Sequence, residues 1–236
     1  MKIGIDAGGT KTTASLFKES NILHTVEKKF GNPLIDYQKA INHIEEAILD
    51  LIEKESFSET IDSITIGSAG AESGGFIEDM TTHFENKFQT KVTIMSDLKL
   101  SHIATFNNKD GVLLIAGTGS SCLYRENNVF YQKGGWGHIL GDEGSAYWIG
   151  LQLIKQLMSY FEQSELSKDA HLLIPSLLEI VPNKKKAIQL VYQSPKSEVA
   201  QLAMLTTTFK ETDFVKELVQ DGANYLANLI NLSTKK

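Results

Sequence analysis

Lys2-Ile3-Gly4-Ile5-Asp6-Ala7-Gly8-Gly9-Thr10-Lys11-Thr12 is the stretch whose reading decides the fold of this chain. An apolar β run leads into a glycine pair, and Thr12-Thr13-Ala14-Ser15-Leu16-Phe17 follows, where β-branched residues favour a second strand. The glycines therefore sit at a β-hairpin turn. A dinucleotide fingerprint would need a helix after its last glycine, and the G-x-x-x-x-G-K-[ST] spacing is absent. Glycine at 8 and 9 lets the backbone take positive φ and come close to a ligand. Consecutive N–H groups, with Thr10, Lys11 and Thr12 in the same loop and the two threonine hydroxyls available, can face phosphate oxygens. Asp6, at the strand end, is placed to hold Mg²⁺ through water. The plain alternative is an ordinary hairpin turn.

The unit recurs. Gly111-Val112-Leu113-Leu114-Ile115 has a buried-strand pattern, Ala116-Gly117-Thr118-Gly119-Ser120 is a second glycine-rich turn, and Ser121-Cys122-Leu123-Tyr124 returns as a strand. A duplicated phosphate-holding hairpin is expected where a triphosphate lies across a cleft with one hairpin from each lobe. Gly117, Thr118, Gly119 and Ser120 are the second set of candidates. Between the turns, Asn21 to Glu27 reads as a strand, and Ile35 to Glu55 carries a helical stripe of Ala40, Ile41, Ile44, Ala47, Ile48 and Leu51. Ser63 to Ile66 is a strand, Phe76 to Phe88 a helix, Val92 to Met95 a strand and Leu98 to Phe106 a helix. The order β-β-β-α-β-α-β-α is that of a ribonuclease H-like lobe.

The pair of hairpins resembles the actin, sugar kinase and heat-shock chaperone ATPase superfamily, in which two ribonuclease H-like lobes close on a nucleotide. The segment from Gly134-Gly135-Trp136-Gly137-His138 through Gly141-Asp142-Glu143-Gly144-Ser145 to Gly150 narrows the likeness. It is similar to the substrate loop and following helix of the N-acetylglucosamine kinases, a branch of the BadF/BadG/BcrA/BcrD ATPase family, and the resemblance runs in order to about residue 163. It implies an α/β fold of two such lobes with an interlobe nucleotide cleft, over 1–108 and 109–236. It also implies ATP and Mg²⁺ as cofactors and an amino sugar as substrate.

Asp97 follows the Val92 to Met95 strand, on the edge where strand ends carry ligands in open α/β sheets. In the resembled kinases an aspartate in this place takes the proton of the attacking sugar hydroxyl, which implies Asp97 as catalytic base and sugar contact. The residues alone equally allow Asp97 or Ser96 to cap the helix at Leu98. For the sugar the resemblance implies Asn32, the Gly135-Trp136-Gly137 turn and Asp142. A plain turn at Gly31-Asn32-Pro33 and helix-dipole stabilisation by Asp142 and Glu143 are the alternatives.

Composition bounds the rest. The 236 residues suffice for two lobes, and 42% hydrophobic and 22% charged residues are globular values. A net charge of −6 argues against nucleic acid or an anionic membrane as partner. No apolar run is long enough to span a bilayer and no signal-peptide start is present, so a cytoplasmic location is expected. The single cysteine, Cys122, excludes an intrachain disulfide and speaks against the iron–sulfur activators of the wider family, since a cluster needs several thiolates. The histidines form no metal-ligand spacing. Dimerisation is an expectation of the family alone.

The C-terminal third departs from the family. Only Gly222 of the 18 glycines follows Gly150. Helical patterns cover Glu143 to Phe161, Ala170 to Ile180, Lys196 to Thr206 and Asp213 to Leu232. The Gly-Gly turn that grips adenosine in the resembled kinases does not appear, so the second lobe is expected to be incomplete, helix-rich and truncated. A sugar kinase is the leading expectation. A partner-driving ATPase switch and a sugar-binding regulatory module are the alternatives.

Overall fold

A computed structural model describes residues 1–54 and 60–234. The chain divides into two compact units, Met1–Lys109 and Asp110–Lys236. Among the described residues no helix is long and apolar enough to cross a membrane.

In the first unit β1 (Lys2–Ala7), β2 (Lys11–Lys18) and β3 (Asn21–Lys29) form an antiparallel meander, and α1 (Tyr37–Lys54) leads to β4 (Ser63–Ser68) beside β1. Then come α2 (Ile77–Phe88), β5 (Lys91–Met95) and α3 (Asp97–Phe106). The sheet order is β3-β2-β1-β4-β5, with β1, β4 and β5 mutually parallel. Alternation puts Ile3, Ile5 and Ala7 inside, in register with Ile64, Ile66 and Ser68 of β4. The stripe on α1 is buried at all six of its apolar positions, Ala40 to Leu51, and Met80 and Phe84 bring α2 into the same core. Asp36 starts α1 by accepting from Lys39 N–H at 3.1 Å. Gln89 and Asn107 stop α2 and α3 in the left-handed region.

In the second unit β6 (Gly111–Ala116), β7 (Ser120–Glu126) and β8 (Val129–Gly134) form an antiparallel sheet in chain order. Asn127 and Asn128, at φ +51° and +67°, make the two-residue turn between β7 and β8. Helices follow: α4 (Ala146–Phe161), α5 (Ile174–Ile180) after a tight turn at Ala170–Leu173, α6 (Lys184–Gln193), α7 (Lys196–Gln201), α8 (Leu205–Thr208) and α9 (Asp213–Thr234). Tyr147, Leu153 and Leu157 of α4 pack with Leu177, Val199 and Phe214 in a second core. Gly150 lets α4 and α7 touch, since a β-carbon there would stand 2.0 Å from Val199 O.

Helix boundaries in the second unit differ from the sequence reading. The helix expected from Glu143 starts at Ala146, because Asp142 and Gly144 take positive φ and Ser145 caps by accepting from Trp148 N–H at 3.2 Å. The helix expected over Lys196 to Thr206 is broken by a tighter turn at Leu202–Met204. There the Thr206 hydroxyl donates to Ala203 O at 2.6 Å and that of Thr207 to Met204 O at 2.7 Å, side-chain bonds that compete with helical ones. The strand β8 and the helix α6 escaped the sequence reading. The first is largely exposed and so lacks alternation, and the second buries only Ala187 and Leu190.

Phe84 is wholly buried, whereas Tyr192 is 81% exposed. Phe84→Ala is expected to cost about 3–5 kcal/mol through the cavity it leaves, and Tyr192→Ala less than about 0.5 kcal/mol. Urea denaturation of both variants checks the contrast.

Candidate functional site

The turn after β1 is closed by its own backbone: Gly8 N–H donates to Lys11 O at 2.9 Å, which leaves Gly9 and Thr10 exposed at the apex. Neither Gly8 nor Gly9 has the positive φ expected from sequence. What glycine supplies is bare backbone, since a β-carbon on Gly9 would meet nothing within 4 Å and would only cover the exposed apex. Thr12 is a second correction. It is 0% exposed and its Oγ1 has no hydrogen-bond partner among the described residues. The chain crosses it at Gly31, where a β-carbon would stand 2.6 Å from both Thr12 Oγ1 and Ala7 Cβ. Thr12 therefore shapes the floor of the turn, with its hydroxyl turned inside. Lys11 turns its ammonium to Glu27 at 2.6 Å.

Parallel pairing carries the carboxyl ends of β1, β4 and β5 to one edge, Asp6 in register with Gly67 and Gly67 with Met95. Asp97 opens α3 at this edge. The cap is Ser96, whose Oγ accepts from Lys99 N–H at 3.4 Å, so Asp97 is not needed for that role. Its Oδ1 accepts from Leu98 N–H at 2.9 Å. Burial holds the Asp97 carboxyl above the usual aspartate value, the charge of Asp6 pushes the same way, and the Leu98 hydrogen bond opposes. Desolvation also raises Asp6, with Lys11 pulling it down. Because the Asp6 side chain reaches solvent, screening weakens that effect, and Asp97 is the more perturbed environment of the two.

Asn32 lies on the neighbouring loop. Its Oδ1 accepts from Leu34 N–H at 2.9 Å and packs on Gly70, which has φ +78° and no room for a β-carbon. Lys99 of α3 is ion-paired with Glu72 in the turn after β4. Ser68, which the sequence reading did not single out, is fully buried and donates to Gly31 O at 3.0 Å. The signal for it was the Gly67-Ser68-Ala69-Gly70 turn at the end of a parallel strand.

In the second unit the Gly117–Ser120 turn is stitched to the start of α4. Ala146 N–H donates to Gly117 O at 2.9 Å and Tyr147 N–H to Thr118 O at 3.3 Å, pairing helix-end donors that have no partner within the helix. Two expectations change here. Ser120 is buried and its hydroxyl donates to Glu143 O at 2.8 Å, so it is engaged inside the protein and not offered to a phosphate. Asp142, expected at a sugar, is 3% exposed, and its carboxylate lies on the turn. Ser120 N–H donates to Asp142 Oδ1 at 3.3 Å, and a β-carbon on Gly119 would come within 2.7 Å of Oδ2. Gly117 keeps open space around it, with Thr118 part-exposed. Trp136 is 65% exposed, between Gly135 at φ +72° and Gly137 at φ +83°.

The first unit thus gathers Asp6 of β1, Gly8 to Thr10 and Asn32 on loops, and Asp97 of α3 at one sheet edge. The second gathers Gly117 to Ser120 with Asp142, and presents Trp136 on its own loop. An open cleft of about 570 Å³ in the first unit is lined by Thr10, Glu27, Lys28, Lys29, His43 and Glu46. Lys28 is paired with Asp50 at 2.8 Å and Glu27 with Lys11. Asp6, Asn32 and Asp97 are not among its lining residues, so the cleft is distinct from the carboxylate edge. Among the described residues no three His, Cys, Asp or Glu side chains gather to hold a metal ion.

Asp6→Asn is expected to lower the pKa of Asp97, because it removes a like charge, yet to leave it above the ordinary value, because burial is the larger cause. Carboxyl NMR titration of both proteins measures this. Gly119→Ala is expected to cost about 1–3 kcal/mol by overpacking against Asp142, while Gly117→Ala stays near wild type in a denaturation curve.

Comparison with known proteins places this geometry in a family. Residues 3–223 match the BadF/BadG/BcrA/BcrD ATPase family. An N-acetylmuramic acid/N-acetylglucosamine kinase of Clostridium acetobutylicum is 30% identical over 95% of this chain and 76% of its own length. An N-acetyl-D-glucosamine kinase of Dictyostelium discoideum is 27% identical over 99% of this chain and 79% of its own. The solved structure of a candidate N-acetylglucosamine kinase from Chromobacterium violaceum shares the fold, with a TM-score of 0.83 at 17% identity over 99% of this chain and 82% of that one. The chain belongs to the BadF/BadG/BcrA/BcrD ATPase family.

Proposed function

We propose that this chain is an ATP-dependent sugar kinase that phosphorylates a hydroxyl of N-acetylglucosamine or a related amino sugar, N-acetylmuramic acid or glucosamine. The observation that carries the proposal is Asp97, a part-buried carboxylate at the edge where parallel strands end, relieved of capping by Ser96 and made more basic by burial and by Asp6. The names of the relatives supply the substrate class.

In this reading Asp97 accepts the proton of the attacking sugar hydroxyl as the new oxygen–phosphorus bond forms and the bond between the γ-phosphorus and the ADP oxygen breaks. Little covalent chemistry is asked of the protein, so holding the hydroxyl in line is the main task. Gly9 and Thr10 in one unit, and Gly117 and Thr118 in the other, present exposed or part-exposed backbone to phosphate oxygens. Asn32 and the Gly135-Trp136-Gly137 turn supply an amide and a flat apolar face for a pyranose. Thr12, Ser120 and Asp142 hold these loops from within.

A magnesium ion fits Asp6. One exposed carboxylate without a surrounding cage suits a cation that keeps several waters and completes its shell with phosphate oxygens. When bound, it would neutralise charge on the phosphates. A cytoplasmic location fits a need for ATP.

Asp97→Asn is expected to lower sugar-dependent ADP release about 10²- to 10⁴-fold, the usual range for loss of a general base, while the sugar dissociation constant changes little. Coupled ADP detection and calorimetric titration measure the two quantities, and near-normal turnover in the variant would defeat the assignment.

A further inference from the structure

The exposed loop that carries Trp136 is gripped at both ends by one face of α9. At its start Gly134, with φ +66°, has Leu229 Cδ1 3.1 Å and the Tyr225 hydroxyl 3.8 Å from where a β-carbon would stand. At its end Gly144, with φ +75°, has Gly222 O at 2.6 Å and Leu226 Cγ at 2.9 Å from the same point. Gly222, Tyr225, Leu226 and Leu229 recur at helical spacing and so form a single stripe. A β-carbon on Gly144 would clash with Gly222 O and one on Gly134 would press on Leu229, and each glycine has a backbone conformation that other residues rarely adopt. Between these fixed ends Trp136, Ile139 and Leu140 are 65%, 84% and 78% exposed.

Glu143 of the loop lies near the same stripe. Burial and then the charge of Glu143 raise the pKa of the Tyr225 hydroxyl. The Glu143 Oε2 atom is buried without a hydrogen-bond partner among the described residues. It lies 3.7 Å from the β-carbon position of Gly141, and Trp136 Cβ and Cδ1 lie 3.7 Å from that point too. Glu143 therefore sits beside the Trp136 turn, close to the α9 stripe. The helix is itself anchored to the sheet, with Ser233 Oγ 3.4 Å from Cys122 Sγ of β7.

We propose that α9 is the positioning element of the Trp136 loop, holding Gly134 and Gly144 and so setting the pitch of the indole face and hence the affinity for sugar. The second half of the proposal rests on the kinase reading, in which this loop walls the sugar. Leu229 and Leu226 are positioning residues, since they act through Gly134 and Gly144.

The test uses the full chain with 5-fluorotryptophan at its two tryptophans, the Trp136 resonance being assigned with Trp136→Phe. Tyr225→Phe keeps the ring and removes the hydroxyl that lies 3.8 Å from the β-carbon position of Gly134. Leu229→Ala loosens the Gly134 end. Both are expected to move and narrow the Trp136 fluorine resonance, and Ile188→Ala, on the exposed side of α6, is expected to leave it in place. Leu229→Ala, which frees the Gly134 end of the loop, is further expected to raise the sugar KM several-fold, with kcat and the ATP KM little changed. A fall in kcat and a rise in both KM values together would mark a merely structural role and overturn the proposal. So would an unmoved Trp136 resonance in both variants, or a moved resonance with an unchanged sugar KM. If the wild-type chain turns over no sugar, the kinase reading has failed, and the fluorine spectra alone decide whether α9 holds the loop.

Discussion

Direct contact between backbones at the edge of the first sheet is the constraint on which the rest depends. Gly31 N–H donates to Gly8 O at 2.9 Å, and Ala69 N–H to Ala7 O at 3.0 Å. Three loops from separate parts of the chain are thereby joined at distances no side chain would allow at Gly31. Each bond contributes only about 1 kcal/mol net, but together they fix where Asp6 and Asn32 end up, and pairing of β5 with β4 brings Asp97 to the same edge. The residues between the loops are small or buried, Ala7, Thr12 and Ser68 all being 0% exposed. The rigidity of the edge thus comes from the sheet core of Ile3, Ile5, Ile64 and Ile66 directly beneath it.

The electrostatics follow from that arrangement. Burial raises the cost of ionising Asp97, and the nearby charge of Asp6 adds to it. Such an edge favours whatever brings positive charge or offers a proton, and perturbed groups of this kind cluster where chemistry is done. The second unit repeats the hairpin but supports it differently. Its turn leans on the first donors of α4 and on the buried Asp142, so the carboxylate that stands open at one hairpin is turned inward at the other.

Much of the fold was legible because its signals are local. The isoleucine alternation in β1, the six-residue stripe of α1 and the order of elements through α3 needed only periodicity. The glycine turns were equally plain, yet their use was misjudged at Gly8 and Gly9, because sequence shows that a side chain is absent without showing which φ the backbone takes. The burial of Thr12, Ser120 and Asp142 was not legible for one shared reason. A polar residue beside a glycine turn can face outward to a ligand or inward to the chain that crosses it, and only the crossing segments, Gly31 over Thr12 and Asp142 over Gly119, decide between the two. Asp97 could be singled out from its place after a strand, but its separation from the capping role required the Ser96 geometry. The contact of α9 with Gly134 and Gly144 joins residues far apart in the chain, and no local pattern announces it.

The central claim is that a phosphoryl group moves from ATP to an amino sugar on this chain. Phosphorus NMR of the protein with Mg·ATP and N-acetylglucosamine, N-acetylmuramic acid or glucosamine observes that transfer directly. The account predicts a new phosphomonoester resonance that grows as the γ-phosphate of ATP declines, with one of these sugars and not without it. Inorganic phosphate as the sole product, at a rate indifferent to every sugar, would contradict it.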